Sequence, residues 1–231
     1  MAEFLSSSSV WGAALTISCY CLFFLLQKRL RAGWCNPLLL SCILIGGFLL
    51  TGQIPYVEYS RTSSFLSWLL LPATVSLAIP LYEQWTLLRK SLTAILCGIT
   101  AGVCTSLFCT LILAKLFHLD ASIAVSILPK SVTTAIGADV SQELGGIPSL
   151  TIVLIILTGI VGNMMAPLLS RCFCLKSPIA RGIAIGSASH AIGTAKALEM
   201  GEVEGAMSSL SIAVSGVLTA FFCPIVARWL F

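Results

Sequence analysis

The chain has 231 residues, of which 58% are apolar and 10% charged, against roughly 45–50% and about 25% in soluble domains. With a mean hydropathy of +1.01, these values exclude a water-soluble globule and leave a polytopic membrane protein. The net charge of +4 is dispersed in short basic clusters between apolar runs, so it reports topology and not nucleic-acid binding.

Helical spans need about 20 apolar residues, within a range of about 17–25. Stretches at Val10–Leu26, Pro37–Thr51, Phe65–Leu81, Leu92–Phe117, Ser149–Ser170 and Ala206–Ala227 meet or approach this length, the second being short. Glu3 and the serines at 6–9 precede the first run without a basic segment or cleavage site, so that run reads as a retained span. Most cysteines, such as Cys19, Cys42 and Cys223, lie inside apolar runs and read as reduced packing residues. Cys172 and Cys174 form a C-x-C pair with no histidine or second pair beside it, so no metal is expected.

Basic residues in short loops stay on the cytoplasmic side. Lys28, Arg29 and Arg31 follow span one, Arg89 and Lys90 follow span three, and Arg171, Lys176 and Arg181 follow span five. Spans one, three and five therefore run inward, which places Lys115 and His118, at the end of span four, outside. For span five also to begin outside, segment 121–146 must enter and leave on one face, as a re-entrant hairpin. The same logic makes 178–201 a hairpin from the cytoplasmic face. Fully crossing broken helices are the alternative, and they would make the repeat described next parallel.

Thr133–Gly145, TTAIGADVSQELG, aligns with Ser189–Gly201, SHAIGTAKALEMG, at an offset of 56 residues. Ala135/Ala191, Ile136/Ile192, Gly137/Gly193, Glu143/Glu199 and Gly145/Gly201 are identical. With one insertion, Thr158-Gly159-Ile160-Val161 matches Ser215-Gly216-Val217-Leu218, and Pro167 matches Pro224. One hairpin plus one span makes an odd number of crossings, so the two copies, 121–177 and 178–231, lie inverted in the membrane. Inverted repeats with broken helices meeting near the midplane are a transporter arrangement. The expected fold is therefore an all-α integral membrane protein, one transmembrane domain over 1–231, with N-terminal helices in 1–120 and a duplicated core in 121–231. It has about six spans and two re-entrant broken-helix hairpins.

The chemistry concentrates at the hairpins. Pro129 and Lys130 break the first run, and Ser131, Thr133 and Thr134 offer N-cap hydroxyls to a short helix ending near Gly145. In the second hairpin Gly186 is the expected break, with Ser187, Ser189 and His190 in the matching place. Two helix N-termini and the Lys130 charge favour a small carboxylate. A mid-depth lysine is costly unless it faces a polar cavity or a partner. His190 is a candidate for substrate or proton, or else a neutral imidazole bonded to a facing carbonyl. Glu143 and Glu199 are further proton-coupling candidates, although they lie where the helix dipole does not help a carboxylate. Asn163, within span five, lines the site or serves as interhelical glue. Asp139 and Lys196 have no assignable partners. Pro72 and Pro80 suggest a third broken helix, with Thr74 and Ser76 available to its carbonyls, or a plain kink. There is no P-loop, H-E-x-x-H or dinucleotide fingerprint, so no catalytic residue, metal or cofactor is expected.

At PATVSLAIPLY (Pro72–Tyr82), LPKSVTT (Leu128–Thr134), ELGGIPSLT (Glu143–Thr151) and GSASHAIGTAKALEMGEVEGA (Gly186–Ala206) the chain resembles the LrgB/CidB family, which includes the plastid glycolate/glycerate translocator. The resemblance covers most of the chain from about span two onward. It departs at Ala135, where the family usually has proline, and at Lys196, where it usually has arginine. It implies two roles: antiholin-like control of murein hydrolase activity and autolysis beside a small holin-like LrgA/CidA-type partner, and passage of glycolate, glycerate or pyruvate. The sequence favours the second, because a holin-like pore needs no duplicated, charge-bearing hairpins. The expected surroundings are the lipid of a bacterial plasma membrane and a homodimeric assembly, with no nucleic acid.

Overall fold

A computed structural model describes residues 10–30 and 36–230; Arg31 and the serines at 6–9 lie outside the described residues. All regular structure among them is helical. In chain order the helices are α1 Trp11–Leu30, α2 Pro37–Thr51, α3 Tyr56–Thr62, α4 Ser64–Trp68, α5 Leu70–Ser76, α6 Ala78–Glu83, α7 Trp85–Leu116, α8 Ala121–Ile127, α9 Thr134–Glu143, α10 Pro148–Cys172, α11 Pro178–Met200 and α12 Glu202–Ala227. Five segments are long and apolar enough to cross a membrane: Trp11–Arg29, Ser64–Glu83, Trp85–Leu116, Pro148–Cys172 and Glu202–Ala227. Pro37–Thr51 is a shorter apolar helix. The protein is an all-α multi-pass membrane protein.

The chain forms two compact units, Met1–Ser76 and Leu77–Phe231. In the first unit, Asn36 caps α2 by accepting from the N–H groups of Leu38 and Leu39 at 2.9 and 3.2 Å. Pro37 fills the first turn, where no donor is needed. Thr16 on α1 and Tyr59 on α3 share a 2.7 Å hydroxyl contact, and Trp11 packs on the Tyr59 ring at 6.0 Å. The third span is interrupted. α4 ends at Trp68 and α5 at Ser76, each four residues before a proline that cannot donate to that carbonyl. Thr74 and Ser76 bond the nearer carbonyls of Leu70 and Ala73 instead.

The second unit is built around the core of α7 and α12, where Ile95, Ile99, Leu107 and Met207 are almost fully buried. Both segments expected to be re-entrant are hairpins. In the first, α8 and α9 are joined by 128–133. The Ser126 hydroxyl accepts from Ile147 N–H at 2.7 Å. Thr151 Oγ1 lies 2.9 Å from the Ser126 carbonyl and 2.7 Å from Ser141 Oγ. Both arms are thereby tied to the start of α10, so the hairpin opens where α10 begins.

The second hairpin is α11, whose helical dihedrals fail at His190 (φ 42, ψ −142). Its arms, 178–189 and 191–200, fold back on each other: Ile185 and Ala197 share one buried cluster, and Gly193 faces Ile185 and Ser189. Arg181, near the start, pairs with Glu204 of α12 at 3.0 Å, while Leu198, near the end, covers Gly205. Both ends thus lie at the N-terminus of α12. A crossing helix would separate them by about 30 Å at 1.5 Å per residue.

The break corrects one expectation. It lies at His190 and not at Gly186, which stays helical. The missing side chain at Gly186 serves packing: a Cβ there would lie 2.8 Å from both Ser208 Cα and Ser211 Cβ.

The repeat is visible in the packing. A Cβ on Gly159 of α10 would lie 2.9 Å from Ile192 Cβ in the second hairpin, and one on Gly216 of α12 would lie 2.7 Å from Ile136 Cδ1 in the first. Gly159/Gly216 and Ile136/Ile192 are repeat-related pairs. Each hairpin therefore seats the isoleucine just beyond its tip on the glycine of the other copy's long helix. The two copies interlock reciprocally at mid-helix.

Candidate functional site

The two tips converge on the middle of α7 and α10. On α7, Gly102, Ser106 and Thr110 follow at four-residue spacing and share one face. Lys130, at the first tip, donates from Nζ to Ser106 Oγ and Thr110 Oγ1, both at 3.0 Å. Ser131 adds a 3.2 Å hydroxyl contact to Ser106. Ser187, from the second hairpin, packs one turn away, where a Cβ on Gly102 would lie 3.0 Å from its Oγ.

Among the described residues the ion pairs are Arg181–Glu204 and Lys196–Glu199. Lys130 is not in either. Its ammonium is oriented by neutral hydroxyls, and an ammonium has three donors, one more than Ser106 and Thr110 accept.

The second cluster lies against α10. His190 is buried, and its Nε2–H donates to the carbonyl of Ile155 at 2.9 Å, the facing-carbonyl arrangement. Because a carbonyl only accepts, Nε2 carries the proton in this bond, and in the neutral imidazole Nδ1 is then left as an acceptor. Gly159 makes room for the ring, and Gly162 makes room for the buried Ser189 hydroxyl. Asn163 donates from Nδ2 to the Ile192 carbonyl at 2.9 Å, in the first turn of the second arm.

Thr133 is the N-cap of α9, in extended backbone, and no side chain caps the helix. The first-turn N–H groups beginning at Thr134 therefore have neither an intrahelical nor a side-chain acceptor. Glu143 is exposed at the far end of α9. Glu199, also exposed, pairs with Lys196 at 2.7 Å. Both glutamates sit at hairpin mouths, one helix length from the tips. Ser106 and Thr110 were not singled out from the sequence, because two hydroxyls inside a long apolar helix carry no signal until Lys130 is placed on them.

The profile of the LrgB-like family matches residues 16–229. The chain belongs to this family. Uncharacterized protein YxaC of Bacillus subtilis is 40% identical over 217 residues, 94% of each chain. YwbG of the same organism, also named as uncharacterized, is 36% identical over 197 residues, covering 85% of this chain and 88% of its own. Antiholin-like protein LrgB of Bacillus cereus is 36% identical over 215 residues, 93% of this chain and 94% of its own. No solved structure matches. Membership of the LrgB-like family agrees with the resemblance read from the hairpin motifs.

Proposed function

We propose that the paired hairpin tips bind a small monocarboxylate of the glycolate, glycerate or pyruvate type, and that the protein carries it across a bacterial plasma membrane. The observation that carries this reading is Lys130, a cation at a hairpin tip, oriented by Ser106 and Thr110 and without a carboxylate partner among the described residues. The uncapped N-terminus of α9 adds N–H groups and a positive dipole end. Ser131, Thr133, Thr134, Ser187 and Ser189 supply hydroxyls for a hydroxy or keto oxygen. His190 is the candidate for proton coupling through Nδ1, with Asn163 holding the second tip in place.

The reading is tested by uptake of labelled pyruvate and glycolate into proteoliposomes, with and without an inward proton gradient. Saturable uptake that is lost in Lys130→Ala supports it. Folded protein that moves neither acid under any gradient contradicts it.

A second reading is an antiholin-like regulator of murein hydrolase activity, acting with a small LrgA/CidA-type membrane protein and without transport of its own. It is favoured by the name of the Bacillus cereus relatives. Release of large dyes from liposomes supports it, and stereoselective uptake counts against it. A variant dead in transport that still restores normal autolysis separates the two roles.

A further inference from the structure

A cavity of about 520 Å³ lies between α7 and the first arm of α11, lined by Ser91, Gly98 and Gly102 on one side and Ser177, Ala184 and Ser187 on the other. It starts at the hairpin mouth, where Ser91 and Ser177 stand near the beginnings of α7 and α11. It ends at Gly102 and Ser187. Ser106 is the next residue on that face of α7 and holds Lys130, about 6 Å further along the helix axis at 1.5 Å per residue. The cavity therefore leads from one face of the protein to within a helical turn of the proposed site.

Its two ends differ in charge from its middle. Arg89 and Lys90 precede Ser91, and Lys176 precedes Ser177. None of the three is in an ion pair among the described residues, so three uncompensated cations flank the mouth in sequence, and Lys130 lies beyond the inner end. Between them the walls are Ala94, Gly98, Ala180 and Ala184, with Ile179 and Ile183 on the α11 side. Gly98 is not needed for tight packing, since a Cβ there would meet Ile183 Cγ2 at an ordinary 3.6 Å.

Past Ser106 the same face is closed. Thr110 and Ser106 grip Lys130 and Ser131, and Ala114 is 3% exposed. A separate cavity, lined by Ala114, Lys115, His118 and Ala121, begins one turn beyond Thr110.

We propose that the groove between α7 and the first arm of α11 is the aqueous approach of a small carboxylate to Lys130, with the Lys130–Ser106–Thr110 contact closing its far end. This rests on the carrier reading. Cations flanking the mouth draw an anion in, the glycine and alanine positions leave room for an acid of two or three carbons, and Ser187 is the last hydroxyl lining the cavity.

The test places single cysteines at Gly98 and Ala184 in a protein whose native cysteines are replaced by serine, reconstituted in vesicles. A membrane-impermeant thiol reagent is then applied from each side. Gly98→Cys and Ala184→Cys are expected to react from the same side as Lys176→Cys, and saturating pyruvate is expected to slow them several-fold while leaving Lys176→Cys unaffected. Ala114→Cys is expected to be protected from that side. Unreactive Gly98→Cys and Ala184→Cys, or reactivity indifferent to pyruvate, overturns the path. Pyruvate uptake by the serine-substituted parent, read in the same vesicles, separates the two claims. Uptake with an unreactive groove removes the path alone, and a reactive groove without uptake removes the carrier reading and the path with it.

Discussion

Lys130 donates to Ser106 across 3.0 Å, tying the first hairpin tip to the middle of α7 through a neutral partner. A cation held this way keeps its charge available, whereas a carboxylate partner would cancel it. Lys130→Ala is expected to abolish pyruvate binding in a protein that still folds, and Ser106→Ala to weaken it about tenfold or more, since a hydrogen bond to a charged group is worth about 1.5–3 kcal/mol. Ligand-induced thermal stabilisation reads both. Unchanged affinity in Lys130→Ala removes the residue from the site.

The reciprocal seating of Ile192 on Gly159 and Ile136 on Gly216 makes these glycines sensitive to any side chain. Gly159→Val and Gly216→Val are each expected to lower stability by about 1–3 kcal/mol through overpacking, seen as a reduced Tm. Gly46, with nothing within 4 Å of a built Cβ, provides the contrast. Gly46→Ala is expected to stabilise α2 by up to about 1 kcal/mol from helix propensity.

Six apolar runs, the repeat and both hairpins were legible in the sequence because each is a pattern along the chain: run length, basic punctuation, or identity at a fixed offset. The break at His190 was not legible. Gly186 and His190 stand four residues apart, and a glycine in an apolar run reads equally as a breaker or as a point of close approach. Which one holds is decided by Ser208 and Ser211 on another helix. The hydroxyls that hold Lys130 were hidden for a similar reason, being 20 and 24 residues away on α7. Asn163 was placed near the site from its isolation in span five, but its acceptor, the Ile192 carbonyl, depends on how the second hairpin folds back.

His190 holds φ at 42°, a backbone region that L side chains adopt at a cost of about 1–3 kcal/mol. His190→Gly relieves that strain and His190→Ala does not, while both lose the bond to Ile155. The glycine variant is therefore expected to be the more stable of the two, by about 1 kcal/mol or more, in paired thermal melts. Equal stability would argue against strain at the tip. Proton-gradient stimulation of uptake is expected to disappear in both.

Partly exposed Arg181 pairs with buried Glu204 at the mouth of the second hairpin. Arg181 corresponds to Val125 in the first hairpin and, with the one-residue insertion placed just after Gly201, Glu204 corresponds to Ile147. Removing one partner alone, as in Arg181→Ala, leaves a buried charge and is expected to cost about 3–5 kcal/mol. The double variant Arg181→Val with Glu204→Ile, which copies the first hairpin, is expected to recover most of that loss. A double variant no more stable than either single one would show that the pair does more than close the mouth.

The most direct test of the central claim is initial-rate uptake of labelled pyruvate by proteoliposomes containing the wild type or Lys130→Ala, with folding of both confirmed by thermal melt. The account predicts saturable uptake by the wild type and background uptake by the variant. Equal uptake by the two, or none by folded wild type, contradicts it.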